Sequence, residues 1–319
     1  MKFKELFEFI ISQGIVQDPR GGKALRELLL DNAEKYAKLS GKEKERFDTD
    51  KLTNPYADSR MLNGSGNEEV KTILFGIDIE TPEVLLANTL NAAGKKIDLI
   101  ITHHPEGKAY ATFYQVIGMQ ADILNKFGVP LNISEALTSS REKEVARRVL
   151  SANHTRAVDT ASLLGIPFMS AHTVADNHVV AYLQKLFDEN KPKNLGAVVD
   201  LLLDISEYKY ADSIGAGPII INGSSENRTG KIFVDMTGGT EGSKDLIEKL
   251  AQAGVGTMVC MHMSEDHYKN AQKHHINVVI AGHISSDNLG INLMLDAVEK
   301  KFGKIETVEC SGFKRFRRS

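Results

Sequence analysis

Three short apolar runs in this chain end in histidine. Ile97-Asp-Leu-Ile-Ile-Thr-His-His-Pro105 finishes in the adjacent pair His103 and His104. Ile166-Pro-Phe-Met-Ser-Ala-His172-Thr-Val-Ala-Asp176 and Val278-Val-Ile-Ala-Gly-His283-Ile-Ser-Ser-Asp287 each finish in His-x3-Asp. Neutral imidazole combined with carboxylate is a ligand set for first-row divalent metals, and this many donors exceeds what one tetrahedral ion needs. The pattern therefore reads as a two-metal site. Taken singly each motif is weaker, because a lone strand-end histidine more often caps or packs than ligates. The weight lies in the threefold recurrence.

The elements that would position these residues follow from the same runs. An unbroken aliphatic and β-branched stretch fits a strand buried on both faces of a parallel sheet, and ligands in open α/β sheets collect outside the carboxyl ends of the strands. Pro105 ends ladder pairing and carries the chain out of the sheet just where His103 and His104 stand. If a helix begins after the other two strands, positions i and i+4 share a face, so His and Asp in each can address one site.

In this order, Asp98-Leu-Ile-Ile-Thr-His-His-Pro105, Ala171-His-Thr-x-x-Asp176 and Ala281-Gly-His-x3-Asp287 resemble the NGG-interacting-factor-three-like family, also known as dinuclear metal centre proteins and GTP cyclohydrolase type-two homologues. The resemblance runs from Lys71 to Phe313. It implies His103, His104, Asp176, His283 and Asp287 as metal ligands, with His172 a ligand or a partner beside one. It implies two divalent ions of the Zn, Fe, Mn, Co or Ni kind, and a ring-shaped homo-oligomer, commonly a hexamer. A histidine near the site in the family gives His262 or His267 a proton-transfer role. Glu106 stands where the family has an apolar residue; it either exchanges a proton at the site or caps the following helix. Asp287 replaces the usual glutamate and shortens the carboxylate's reach by about one methylene, which bears on metal preference. The amino-terminal segment is an extension that the family core does not require.

Composition agrees with an α/β protein. At 319 residues the chain exceeds the size at which single cores stop growing, so two lobes are expected. The expected fold is α/β, with two lobes of mixed, mainly parallel sheets flanked by helices and an N-terminal helical extension. Its division is 1–69 for the extension and linker, 70–195 for the lobe carrying the first two motifs, and 196–319 for the lobe carrying the third. A net charge of −3 gives no global attraction to nucleic acid or anionic membrane. No apolar run reaches spanning length, and Met1–Gly14, with Glu5 and Glu8, lacks a signal peptide's architecture, so the cytoplasm is the expected compartment. Cys260 and Cys310 are too few for a disulfide framework.

Along the chain, Phe3, Leu6, Phe7 and Ile10, then Leu25, Leu28, Leu29 and Tyr36, fall at helical spacing and predict an accessory helical hairpin. The polar stretch from Ser40 to Glu69 reads as a linker or long surface loop. Lys71–Ile79 reads as the first core strand, with Asp78 at its end either beside the site or serving helix initiation. Thr81-Pro82-Glu83 opens a helix that returns the chain to the His-His strand. Helices are expected over the later part of Glu106–Gly128, over Ser139–Leu164, Val179–Asn190, Thr240–Ala253 and Asn288–Phe302. The segment from Pro218 to Asp235 reads as a hairpin whose Gly/Ser/Asn turn matches neither phosphate-binding fingerprint.

Two metals side by side activate water and stabilise both attacking and departing oxygens, so hydrolysis of a small phosphorylated or nucleotide-like substrate is the leading expectation. The alternative is a non-enzymatic metal-binding assembly or regulatory protein. An open coordination position separates the two readings, since structural sites are closed. The tail Phe313-Lys-Arg-Phe-Arg-Arg-Ser interleaves aromatics with cations, but without a basic face nucleic acid is not the expected partner.

Overall fold

The computed structural model describes residues 1–318. Among them the strands, in chain order, are β1 (Arg60–Asn63), β2 (Thr72–Gly76), β3 (Leu99–Thr102), β4 (Phe168–Ser170), β5 (Ile219–Asn222), β6 (Lys231–Asp235), β7 (Val255–Cys260), β8 (Asn277–Ile280) and β9 (Glu306–Cys310). They form two sheets, ordered β1-β4-β3-β2-β9 and β5-β8-β7-β6, flanked by helices. Every pair is parallel except β1 with β4 and β5 with β8, so each sheet carries one antiparallel edge strand. The expected α/β class with two mainly parallel sheets is the observed one.

The central strands explain the register. All residues of β2 and β3 are buried, as unbroken aliphatic runs require when helices cover both faces. Each buried Ile, Leu or Phe there contributes roughly 1.5–3 kcal/mol, which fixes the strands and holds their carboxyl ends at one rim. The helix Thr81–Ala92 returns the chain from β2 to β3. Its cap is Glu80, one residue earlier than the sequence suggests, with the Glu83 carboxylate accepting from the Glu80 N–H at 2.8 Å.

Two long helices, Thr173–Asn190 after β4 and His283–Phe302 after β8, start at the histidine-bearing strand ends and pack on each other. They approach very closely where Gly290 meets the first turn of the other helix, and a Cβ there would clash with the carbonyl oxygen of Ala175. This contact joins the two sheets at the rim.

Several expectations are corrected. The first helix, Phe3–Gln17, is no accessory: Phe3, Leu6 and Ile10 are buried in one core with Ile73, Phe75, Ile101, Val174 and Ile291. Gly14 lies against Val174, where a Cβ would sit 2.7 Å from Cγ1. The polar stretch 40–69 is no plain linker either. It holds the helix Gly41–Arg46, β1, and the buried residues Asp58, Ser59 and Arg60. Its charges are satisfied internally, with the Arg60 guanidinium donating to Asp48, Asp50 and the Ala57 carbonyl.

The hairpin over 218–235 does not form, because β5 and β6 lie at opposite edges of their sheet. The Gly/Ser/Asn turn marks where the chain leaves a strand without dictating its next partner. It instead receives the start of the helix Leu195–Leu203, with Leu195 N–H on Asn227 O and Gly196 N–H on Ser225 O. The helix expected over Thr240–Ala253 spans only Leu246–Gln252, and residues 236–245 are loop and turn. The helical stretch expected over Ser139–Leu164 is broken into Leu131–Val149 and Arg156–Leu163.

The C-terminal segment crosses back: β9 pairs with β2 in the first sheet, and the basic tail is clamped there. Arg315, almost fully buried, donates to Asp296 at 2.5 Å and to Glu299 at 2.9 Å, while Arg318 donates to Glu207 at 2.6 Å. These cations are spent on intramolecular carboxylates. Among the described residues no helix is long and apolar enough to cross a membrane.

Candidate metal centre

The three strand ends converge. His103 and His104 follow β3, His172 follows β4 and precedes the first turn that carries Asp176, and His283 opens the helix that carries Asp287. His103 Nε2 lies 3.5 Å from Asp176 Oδ1 and 3.4 Å from Asp287 Oδ1. His104 Nε2 and His283 Nε2 lie 3.5 and 3.6 Å from Asp287 Oδ2, and His172 Nε2 lies 3.8 Å from Asp176 Oδ2. The Nε2 atoms thus face inward.

The Nδ1 atoms are held from behind. His104 Nδ1 bonds Asp78 Oδ1 at 2.6 Å, His172 Nδ1 bonds Asp58 Oδ2 at 2.8 Å, and His103 Nδ1 bonds the Ala171 carbonyl at 3.1 Å. A bond from Nδ1–H to an oxygen leaves the Nε2 lone pair free for a metal and fixes the ring's direction. Asp58 is itself pinned, accepting from Thr173 Oγ1 at 2.6 Å, and Ser59 Oγ accepts the His172 N–H at 3.1 Å.

The donor set fits divalent cations. His103 Nε2, Asp176 Oδ1 and both oxygens of Asp287 are buried with no hydrogen-bond partner, a costly state that a cation would relieve. Three groups have ligand atoms within 4.8 Å of one another: His103 with His104 and His172, His104 with His283 and Asp287, and His103 with Asp176 and Asp287. Electrostatics agree. Burial, reinforced by the charges of Asp287 and Asp58, pushes the Asp176 carboxyl well above the usual range. Burial acts upward on Asp287 too, but the surrounding imidazoles outweigh it and hold that carboxyl well below its ordinary value. His104 resists burial through Asp287 and Asp78 and rises to about 10. His283 falls to about 4, from burial first and then the neighbouring imidazoles.

One side of the centre is open. The His104 and His283 side chains are 27% and 41% exposed, and they border a cleft with His172, His262, Glu106, Tyr110, Phe113 and Arg156. Glu106 stands at the cap position of the helix Gly107–Thr112, where the capping alternative put it, but its carboxyl makes no capping bond. Burial and the charge of Glu80 push it up to about 7. His262 packs its ring on His283 at 4.9 Å and lies 3.6 Å from Glu241, whose carboxylate raises its pKa against burial. His267 sits further back, with Nδ1 on Ser264 Oγ at 2.6 Å and Nε2 on the Gly242 carbonyl at 3.0 Å. Asp235, at the end of β6, lies in the same cleft as His262, and burial raises its carboxyl to about 6.

Sequence reasoning missed Asp58 and Asp235, and gave Asp78 no firm role. Asp58 lies in a stretch without periodicity, and its partner is 114 residues away, so no local signal marks it. Gly290, which lets the two aspartate-bearing helices meet, carried no signal beyond being a glycine within a helical pattern.

A two-lobed α/β fold with a shared, half-open His/Asp centre at its strand ends defines the class of protein. No family model matches the chain. A GTP cyclohydrolase 1 type 2 homolog of Pyrococcus horikoshii is 24% identical over 254 residues, covering 77% of this chain and 86% of that protein. Another of that name, from Archaeoglobus fulgidus, is 25% identical over 257 residues, covering 80% of this chain and 90% of that protein. The crystal structure of a NIF3 superfamily protein from Sphaerobacter thermophilus superposes with a TM-score of 0.70 at 26% identity, over 89% of this chain and 97% of that one. These similarities support the likeness to the NIF3-like family that the histidine motifs carry.

Proposed function

We propose that the protein is a dinuclear-metal-dependent hydrolase acting on a small phosphorylated or nucleotide-like substrate. The observation that carries this reading is Asp287: its two buried, unpartnered oxygens face different histidines, Oδ1 towards His103 and Oδ2 towards His104 and His283. In this assignment His103, Asp176, His172 and Asp287 would hold one ion, and His104, His283 and Asp287 would hold the other. Divalent ions of the Zn, Fe, Mn, Co or Ni kind, when bound, supply activation of water at neutral pH and charge neutralisation on a departing oxygen.

The chain's own groups do the rest. Asp58, Asp78 and the Ala171 carbonyl hold three imidazoles in their ligating orientation. Glu106, with its carboxyl near neutrality beside the open cleft, takes or gives a proton at the substrate, and His262 is the second group in reach of that cleft. His267 holds the loop at Gly242 and balances Glu241. The opening beside His104 and His283 favours catalysis over a closed structural site. The archaeal relatives' name supports the nucleotide-like end of the substrate class.

Exposed Tyr210, Ile214, Ile219 and Ile284 around the open edge of β5 favour self-association, for which the family implies a ring, commonly a hexamer, in the cytoplasm. The test of function is turnover by metal-loaded protein across phosphoesters, nucleotides and cyclic amides. Turnover that disappears on chelation and in His104→Ala supports the hydrolase; silence across the panel by fully loaded protein overturns it in favour of a metal-dependent assembly.

A further inference from the structure

Between β6 and the helix Leu246–Gln252 runs the loop Met236-Thr-Gly-Gly-Thr-Glu-Gly-Ser-Lys-Asp245. None of the backbone N–H groups from Met236 to Lys244 donates to an acceptor among the described residues. Four carbonyls of the same loop are held by side chains. Gln120 Nε2 donates to Gly238 O at 3.1 Å and to Thr240 O at 2.8 Å, Arg141 Nε donates to Glu241 O at 3.0 Å, and His267 Nε2 bonds Gly242 O at 3.0 Å. In a trans peptide the C=O of one residue points opposite to the N–H of the next. Fixing those four carbonyls therefore turns the N–H groups of Gly239, Glu241, Gly242 and Ser243 away from the side chains that hold the loop.

The two glycines at the bend are required. Gly238 and Gly239 have φ of +94° and +84°, and a Cβ would strike Gln120 Cγ at 2.7 Å from the first and Val116 Cγ2 at 2.8 Å from the second. Gly239 and Thr240 border both clefts that reach His172, His262 and His283. The loop's own carboxylate is already occupied: Glu241 accepts the Ser264 N–H at 2.6 Å and lies within 3.7 Å of both His262 and His267.

Backbone N–H groups without a protein acceptor take water or a ligand as partner, and Gly239–Ser243 are half-buried beside the cleft. A run of them in a glycine turn beyond the carboxyl end of a parallel strand can form an anion-binding concavity. We propose that the loop Thr237–Ser243 is a phosphoryl cradle, in which the N–H groups of Gly239–Ser243 and the Thr240 hydroxyl grip a phosphate group of the substrate as a handle, independently of the metal ions. It rests on the reading of the site as one for phosphorylated substrates and supplies the protein element that takes the phosphate. The 223–230 turn, the other glycine-bearing stretch considered for phosphate, is occupied by the chain itself.

The test titrates inorganic phosphate, and separately phenyl phosphate, into metal-loaded and chelator-stripped full-length protein, following heat and backbone amide resonances. Both probes should bind both forms and move the amides of Gly238–Ser243. Gln120→Glu, which sets a carboxylate against the Gly238 and Thr240 carbonyls, should weaken both about tenfold or more with metal content unchanged, the loss expected for about one charge-assisted hydrogen bond. Gly239→Ala should do the same, and thermal unfolding of each variant separates a lost loop from a lost fold. Binding that vanishes on chelation, or amides that stay still while phosphate binds, would overturn the cradle. Failure of the hydrolase reading shows differently, as phosphate binding at the loop without turnover of any substrate.

Discussion

Gly290→Ala is the sharpest test of how the fold builds the centre. The residue lies within the helix His283–Phe302, three positions after Asp287, and the added methyl would meet the carbonyl oxygen of Ala175, next to Asp176. Helix propensity favours alanine by about 1 kcal/mol. Overpacking costs about 1–3 kcal/mol, and here the obstacle is backbone in the facing helix, which no rotamer change moves. With backbone as the obstacle the cost should lie at the upper end of that range, leaving a net loss of up to about 2 kcal/mol and a fall in Tm of a few degrees. Because the helices must part where Asp176 and Asp287 converge, metal affinity should drop as well. Gly118→Ala is the control, since φ is −53° there and a Cβ meets nothing within 4 Å; its stability should hold or rise. Thermal melts with and without metal, alongside metal titration, read both effects. If Gly290→Ala melts as the wild type does and binds metal equally well, the close helix approach does not organise the site.

Asp78→Asn and Asp58→Asn keep size but weaken the hold on His104 and His172; metal affinity should fall about 10–100-fold in a competition assay, with the fold intact. Glu106 stays protonated to about pH 7 in the folded protein against an ordinary value of 4.5. The fold binds the proton more tightly than the unfolded chain, so its contribution is full below about 4.5 and is lost as pH climbs through about 7. Glu106→Gln should flatten that slope in unfolding measurements and shift the limb near pH 7 of any rate profile. Arg315→Ala leaves Asp296 and Glu299 without their buried partner and should cost about 3 kcal/mol in denaturant unfolding, while affinity for a generic duplex DNA stays negligible in a gel-shift assay.

What the sequence made legible was local. The apolar runs before His103, His172 and His283 announced strands, because period is a property of neighbouring residues, whereas the helices expected from Val179 and Asn288 start earlier, at Thr173 and His283. The meeting of all three rims could be argued only from recurrence and resemblance. Partners chosen across the fold stayed hidden: Asp58 for His172, β9 beside β2, and β5 and β6 at opposite edges. The helix expected over Thr240–Ala253 begins only at Leu246, because the chain ahead of it turns through Gly238 and Gly239 at positive φ and runs on as a loop. Polar composition misled between Ser40 and Glu69, where buried Arg60 finds its carboxylates within the same stretch.

The account turns on Asp287 serving both halves of one centre. Elemental analysis of metal-loaded wild-type protein and of Asp287→Ala measures this directly. Two ions per chain in the first and loss of both in the second is the predicted result. A wild type holding none, or an Asp287→Ala variant that keeps two, would contradict it.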